Sequence, residues 1–380
     1  MSACKGEFSM IRSNFTSFFR REPVLCLAAA CALASMFLVP PSAAYLGYVD
    51  LRVLCLLFCL MAVVAGFQAC GVFPVLAQRL LSGRRSFQVL VLALVWLPFF
   101  TSMLVTNDVA LLTFVPFTLL ILDLAGASGR AAWVVVLQTV AANLGSMATP
   151  VGNPQNLFLY AAFHLTPARF FSTILPYAAV CLLALTAAAL CTRGGAVEVR
   201  FPQPARIQSP RLLGLLCVLF VLCLLSVFRV LPYGALTAVV ALSLLIARRT
   251  LLTKVDYSLL LTFVCFFVFA GNLGQLPALR DALAGLMERS ALLTSALASQ
   301  IISNVPAAVL LAGFTDDWRG LLLGTDLGGL GTPIASLASL ISLRLYLRSP
   351  GARAGHYLLL FSLVNFGGLA VLLLAAALLS

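Results

Sequence analysis

Charged side chains are scarce in this chain of 380 residues. Asp, Glu, Lys and Arg occupy only 9% of the positions, whereas hydrophobic residues occupy 62%. A soluble domain has too little interior to bury so much apolar material behind a polar surface. The composition therefore excludes a single soluble core and predicts an all-α, polytopic membrane protein.

Residue groupings typical of enzymes and metal proteins are also missing. The eleven Cys and two His form no CxxC pair and no Cys/His cluster, so we expect neither disulfides nor metal sites. The apolar runs hold no Ser/Lys pair and no paired carboxylates, and the chain has no GxxxxGK[ST] phosphate loop. The sequence thus predicts a protein that is not an enzyme and has no cofactor, and it leaves open a separate ATPase subunit.

The basic residues are unevenly distributed along the chain. A net charge of +12 could indicate a nucleic-acid partner, but in a membrane chain Lys and Arg report orientation instead. If the N-terminus is cytoplasmic, 18 of the 24 Lys and Arg fall on the cytoplasmic side. This bias predicts a multi-pass protein of the plasma (inner) membrane, in contact with lipid, with nine crossings and two hairpins. We expect the first apolar run to be retained as a span.

Several apolar runs are too short to cross a bilayer, which takes about 20 helical residues. Two pairs of short runs are split by a polar tip, and we interpret them as re-entrant hairpins. The expected organisation begins with a cytoplasmic segment, 1–23, and a first unit, 24–192, which has a hairpin at 87–124 and a broken helix at 131–163. A cytoplasmic loop and a linking helix follow at 193–231. The second unit, 232–380, has a hairpin at 291–314 and a broken helix at 320–343.

One stretch within the apolar runs is rich in amides and helix breakers. It reads NLGSMATPVGNPQN, residues 143–156, and it resembles DLGGLGTPIASLAS, residues 326–339, with four identities. Each stretch follows a similar tip, Thr106-Asn107 in the first unit and Ser303-Asn304 in the second. Matches in the same order predict an internal repeat. Because four crossings and a linking helix separate the units, the second copy is predicted to be inverted in the membrane.

Broken helices in matching positions of two inverted units indicate a transporter's binding site near the bilayer midplane. Backbone groups freed by Pro and Gly must line a wet cavity or be buried in protein, because lipid cannot satisfy them. Helix N-termini at the tips favour an anion. The predicted substrate- or ion-binding residues are Thr106, Asn107, Asp108, Thr149, Gly152, Asn153, Asn156, Ser303, Asn304, Thr332, Ser336 and Ser339.

Two carboxylates near these stretches have different expected roles. Asp108 is predicted inside the membrane, where an ionisable group is functional by default, although it could also cap the helix that follows. Asp326 aligns with Asn143, but we expect it at the outer end of its helix and leave it out of the candidate site.

At these residues the chain resembles the ion transporter superfamily, which includes divalent anion:sodium symporters, citrate–metal symporters and arsenite-pump-type permeases. It is most similar to small bacterial inner-membrane permeases with the motifs TNDVAL, TPxGNPQN and ISNVP, found here at 106–111, 149–156 and 302–306. The resemblance implies an elevator-like carrier, a homodimer, in which tips and turns hold a small anion with sodium ions or protons. Asp108 departs from the family pattern, which has a neutral Thr there.

The sequence therefore predicts a secondary transporter of a small carboxylate, sulfate-like or arsenite-like anion, coupled to sodium or protons. A sodium ion carried by the same residues is the one metal ion considered. Two alternatives stay open. One is a sodium/proton antiporter of the same fold with Asp108 as the exchanging carboxylate. The other, a membrane-embedded enzyme, is disfavoured by the missing catalytic groupings.

Overall fold

A computed structural model of the chain describes residues 22–199, 201 and 203–379. Of the predicted cytoplasmic segment 1–23, all but residues 22 and 23 lie outside the described residues. In the described part the fold is almost entirely helical, with 18 α-helices, three short 3-10 helices and one two-stranded sheet. The predicted all-α membrane fold class is confirmed.

The helices before the linker are α1 Pro23–Leu38, α2 Tyr45–Tyr48, α3 Leu51–Ala69, α4 Val72–Leu81, α5 Phe87–Ser102, α6 Asn107–Leu124, α7 Ala131–Ser146, α8 Pro154–Ala162 and α9 Pro167–Leu190. The linking helix is α10 Pro210–Val227. The second set is α11 Tyr233–Arg248, α12 Tyr257–Gly274, α13 Pro277–Arg289, α14 Ala291–Ile302, α15 Asn304–Leu311, α16 Trp318–Leu327, α17 Leu337–Leu347 and α18 Ala354–Leu379. The 3-10 helices are Ser128–Arg130, Arg249–Lys254 and Ala312–Phe314, and the strands are β1 Gly83–Ser86 and β2 Ala196–Val199.

Seven helices in the described residues are long and apolar enough to cross a membrane, namely α3, α6, α9, α10, α11 with its 3-10 extension, α12 and α18. Helix α1 has only 16 residues, and the two broken helices are split into shorter pieces. Helix α6 differs from the expectation of a short hairpin arm. Its 18 residues, with Pro116 inside, span roughly 27 Å at the usual rise per residue.

The first predicted hairpin returns to the end from which it starts. Arg130, which follows α6, stacks its guanidinium over the ring of Phe87 at the start of α5, 4.6 Å from the centroid. The same guanidinium donates a hydrogen bond to the carbonyl of Arg193, which follows α9. Strands β1 and β2 pair antiparallel beside them, with Arg84 opposite Glu198. The two ends of the hairpin and the segment after α9 therefore lie at one end of the molecule, while the membrane face they occupy stays a prediction.

The second hairpin returns in the same way. Gly320, near the start of α16, lies so close to α14 that a Cβ at this position would be 3.0 Å from the Cβ of Ala291. Asp317 starts α16 by accepting a hydrogen bond from the Gly320 N–H, 2.9 Å. This cap explains why α16 begins at Trp318, two residues before the predicted start of the broken helix.

Contacts between hairpin and broken helix occur at equivalent positions in the two units. Gly145 of α7 packs against α5, where an added Cβ would lie 2.7 Å from Ser102 Oγ. Gly328, its counterpart in the alignment, packs against α14, where a Cβ would lie 3.0 Å from the Cβ of Ser299. Ser102 and Ser299 each lie five residues before the Asn of their tip. Small residues at both positions allow close helix approach, and this supports the predicted repeat, whose inversion stays a prediction.

Candidate functional site

The first tip is the turn between α5 and α6. Thr106 is the N-cap of α6 but makes no side-chain capping bond. Asn107 is 6% exposed, and its Oδ1 accepts from the Asp108 N–H at 3.0 Å, which leaves its Nδ2 to donate to Asn143 Oδ1 at 3.0 Å. The tip is therefore joined by a side-chain bond to the last turn of α7.

Asn143 connects the first tip to the broken helix of the second unit. Its Oδ1 also accepts from Ser336 Oγ at 3.0 Å, and its Nδ2 donates to Ser339 Oγ at 3.3 Å and to the carbonyl of Gly329 at 3.5 Å. Ser336 and Ser339 are buried. Asn143 is not among the residues predicted from the sequence, although its place as the first residue of the motif at 143–156 was a usable signal.

The first turn, residues 147–153, breaks the helix between α7 and α8. Asn153 caps α8 by accepting from the Asn156 N–H at 3.0 Å. Asn156 is fully buried and donates through Nδ2 to the carbonyls of Met147 and Thr149, at 3.0 and 3.4 Å. Asn156 thus holds the turn together through its side chain.

Two other predicted residues of this turn hold it against α5. Thr149 Oγ1 donates to the carbonyl of Met103. Gly152 is buried, and a Cβ here would lie 2.1 Å from the Ser146 carbonyl oxygen and 2.8 Å from that of Ser102. The glycine is required because the two backbones approach so closely.

The second tip is the residue pair between α14 and α15. Ser303 has a positive φ of 73°, and its Oγ lies 3.3 Å from the Ala335 carbonyl, to which it donates. The Asn304 N–H donates to the same carbonyl at 3.0 Å, while Asn304 Oδ1 accepts from the Val305 N–H. The tip therefore rests on the second turn, directly before Ser336.

The second turn, residues 328–336, is held mainly by Gln300 of α14. Gln300 Nε2 donates to the carbonyls of Gly328 and Leu330, at 2.8 and 3.0 Å, and its Oε1 accepts from the Thr332 N–H at 2.8 Å. Thr332 Oγ1 donates to the Gln300 carbonyl at 3.1 Å. Thr332 thus faces α14, as Thr149 faces α5 in the first unit.

Asp326 lies inside the molecule and not at an outer helix end as the sequence analysis expected. It is 3% exposed, and its Oδ1 accepts from Asn153 Nδ2 at 3.3 Å and from Gln155 Nε2 at 3.4 Å. The buried position of Asp326 could not be predicted, because hydropathy shows where a helix can end but not which helices pack against one another. Its alignment with Asn143 was the signal available.

Asp108 stands apart from this network in the described part of the chain. It is only partly buried, and the hydrogen bond described for it is the one from its backbone N–H to Asn107. The tips and turns contain no Lys or Arg within 103–109, 143–156, 303–306 or 326–339. Binding at this site therefore depends on amides, hydroxyls, helix termini and the two carboxylates.

Helix N-termini from both units meet at this network. The N-caps of α6, α15 and α17 are Thr106, Ser303 and Ser336, and none of the three makes a side-chain capping bond. Asn143 bonds residues at the starts of α6 and α17, and the Ala335 carbonyl bonds the start of α15. The N-terminal ends of these three helices, with their positive partial charge, are thus linked by direct hydrogen bonds.

Comparison with known proteins identifies the family of this chain. The family model described as "Citrate transporter" matches residues 10–316. This chain belongs to the citrate transporter family. The match includes both tips and the first turn but ends before Asp326 and the second turn. The resemblance to the ion transporter superfamily is confirmed, and the protein is a multi-pass membrane transporter and not an enzyme.

Relatives and a solved structure agree with this assignment. The "Uncharacterized transporter MJ0456" of Methanocaldococcus jannaschii is 32% identical over 282 residues, 74% of this chain and 77% of the relative. The "Inner membrane protein YbiR" of Escherichia coli is 32% identical over 290 residues, 75% of this chain and 77% of the relative. The crystal structure of the Alcanivorax borkumensis YdaH transporter has a TM-score of 0.53 at 14% identity, and covers 88% of each chain. This last likeness shows the fold alone.

Proposed function

We propose that the protein is a secondary active transporter that moves a small anion, such as a carboxylate or a sulfate-like or arsenite-like oxyanion, across the plasma membrane. The observation that carries this proposal is the meeting of the N-termini of α6, α15 and α17 without side-chain caps. The N–H groups of Asp108, Asn304 and Val305 are already bonded, so the attraction for an anion comes from the helix dipoles and the remaining first-turn N–H groups. The side-chain amide groups of Asn107 and Asn304 supply further N–H donors.

The coupling ion is a proton or a sodium ion. An anion bound beside a carboxylate is repelled strongly in a medium of low dielectric constant. A cation that neutralises Asp108 or Asp326 removes this repulsion, so the binding of the cation favours the binding of the anion. This linkage couples the transport of the anion to that of the cation, provided that the binding site changes sides only when it holds both ions or neither.

Movement is proposed to be elevator-like, with the hairpins and broken helices crossing the membrane as one body in each subunit of a homodimer. In support, each hairpin is bonded to its own broken helix, through Thr149 in the first unit and Thr332 in the second. A body held together by such bonds can shift without breaking its site.

The test is uptake by purified protein in proteoliposomes. Labelled citrate, sulfate and arsenite are supplied in turn, with an imposed proton gradient, sodium gradient or neither. We expect accumulation of at least one anion with one of the gradients. Asp281→Asn, an exposed position on α13 far from the tips in sequence, is the matched control and should transport normally. If vesicles with the protein take up no more anion than protein-free vesicles under all conditions, the proposal is contradicted.

A sodium/proton antiporter is the second candidate, and the observation that favours it is the pair of carboxylates in a site without Lys or Arg. Asp108→Asn separates the two. In an anion carrier this variant should still exchange anion across the membrane, with weaker dependence on the driving ion. In an antiporter the parent protein should exchange sodium for protons without any anion, and the variant should lose that activity.

A further inference from the structure

Asp326 has an incomplete hydrogen-bond environment. Its Oδ1 accepts two amide donors, but its Oδ2 is buried and has no hydrogen-bond partner in the described structure. A buried polar atom without a partner is costly, and natural structures keep only a few of them. The missing partner of Oδ2 therefore requires an explanation.

Asn156 presents a second atom of the same kind. It follows Asn153 and Gln155 in the chain, which both donate to Asp326, and its Oδ1 is buried without a partner in the described structure. The orientation of this amide is fixed, because its Nδ2 must face the carbonyls of Met147 and Thr149, which accept only. The segment that bonds Asp326 thus holds a second acceptor oxygen without a donor.

The orientations of the other two amides are constrained as well. Asn153 Oδ1 accepts from the Asn156 N–H, so its Nδ2 is the group that meets Asp326. Gln155 also offers its Nε2 to Asp326 Oδ1. Both amides thus donate to Oδ1, and Oδ2 is left without a donor in the described structure.

The geometry points to Asp326 as the proton-binding residue of the transport cycle, with the proton on Oδ2 shared with Asn156 Oδ1. This inference rests on the proposed function and names its coupling ion. One proton satisfies both acceptors, because a protonated carboxyl gains an O–H donor. Sodium fits less well, since the amide groups of Asn153 and Gln155 direct N–H, and not oxygen, towards Asp326.

In the described part of the chain, the hydrogen bonds of the Asp326 side chain go to neutral amides and not to a charged group. The helices packed against α16 are α7, α8, α14, α15 and α18. Helices α7, α8, α14 and α15 carry no Asp, Glu, Lys, Arg or His, with Tyr160 on α8 as their one titratable side chain. Helix α18 carries His356 and Tyr357 at its start, and Tyr357 is bonded to Ser342. Arg319 on α16 itself lies two helical turns before Asp326. A proton is therefore the simplest means of neutralising this carboxyl group.

Infrared difference spectroscopy on the full-length protein in lipid tests the proposal without any substrate. Spectra recorded in acidic and alkaline buffer should show a protonated-carboxyl C=O band that disappears at alkaline pH. Asp326→Asn should abolish this band, Asp326→Glu should keep it at a shifted frequency, and Asn156→Ala should change its frequency. Asp281→Asn is the control and should leave the band unchanged. If Asp326→Asn does not fold, the frequency shift in Asp326→Glu decides.

Three results would overturn the proposal. The first is a band that persists unchanged in Asp326→Asn and Asp326→Glu, which would place the proton elsewhere. The second is a band that never disappears across the pH range, since a permanent proton cannot be exchanged. The third is loss of the band on addition of sodium chloride at constant pH, which would make Asp326 a sodium site. None of these depends on anion uptake, so a failed uptake assay contradicts the proposed function and leaves this inference standing.

Discussion

The two turns at the centre of the molecule are equivalent in sequence but are held in different ways. The first is held by its own side chains, with Asn153 as a helix cap and Asn156 bonded to two carbonyls of the turn. The second has no such cap at Ser336 and is held by Gln300 from the neighbouring helix α14. One unit thus carries its polar groups in the turn, and the other takes them from the hairpin.

The residues that precede the two turns differ in charge. Asn143 and Asp326 align, and each bonds to the turn of the other unit. A neutral amide therefore meets the hydroxyls of the second turn, while a carboxylate meets the amides of the first. The lesson is that a repeated framework can place two kinds of binding group, one suited to an anion and one to a cation, at matching positions.

The largest expected effect comes from making the first turn resemble the second at Gly152, whose counterpart is Ala335. The added Cβ of Gly152→Ala would lie 2.1 Å from a backbone oxygen, so the turn must shift. We expect a loss of about 3 kcal/mol in the free energy of unfolding, or no folded protein. The matched change Ala335→Gly should cost only about 1 kcal/mol. Thermal unfolding in detergent measures both, and an unchanged midpoint for Gly152→Ala would contradict the close approach.

Gln300→Ala should have the next largest effect. It removes the partners of two carbonyls and one N–H in the second turn, but Gln300 is only partly buried, so water can replace some of these bonds and we expect a total loss of about 2 kcal/mol. The equivalent residue, Met103, contacts the first turn through its backbone carbonyl. Met103→Ala should therefore destabilise less, and unfolding midpoints in the reverse order would show that the two turns are not held as described.

A smaller difference is expected between the two N-caps. Asn153→Ala removes a capping bond worth about 1 kcal/mol, and with it one donor to Asp326. Ser336→Ala removes one hydroxyl bond to Asn143 and no cap, so it should cost about 0.5 kcal/mol. Unfolding midpoints of the two variants, measured side by side, should differ in this order. Equal midpoints would mean that the Asn153 cap contributes nothing in the membrane protein.

Much of the fold could be predicted from the sequence. Hydropathy locates the long helices, and Pro150, Pro154 and Pro333 mark the breaks because each lies within two residues of a glycine, and together the two residue types disfavour an unbroken helix. The pairing of β1 with β2 could not be predicted, since β1 is polar, each strand has only four residues, and more than a hundred residues separate them. Helix α6 is longer than a hairpin arm was expected to be, because it begins within the polar tip, at Asn107.

The candidate site was predicted in outline but not in its connections. The tips and turns were identified by their polar composition, yet their mutual contacts depend on helix packing that no local pattern encodes. Thr149, Thr332 and Asn156 bond within their own units, whereas Asn143 and Asp326, absent from the predicted set, make the contacts between units. Long-range partners of this kind are visible only in the folded chain.

The central claim is that the tips of both units contribute to one binding site, and uptake by tip variants tests it most directly. Asn107→Ala and Asn304→Ala are reconstituted beside the parent protein and Asp281→Asn, and each receives the anion that the parent accumulates. Loss of hydrogen bonds to a charged ligand should lower uptake about tenfold or more in both tip variants, with normal insertion into vesicles. Uptake near the parent level in both variants would show that the tips are structural and that the anion binds elsewhere.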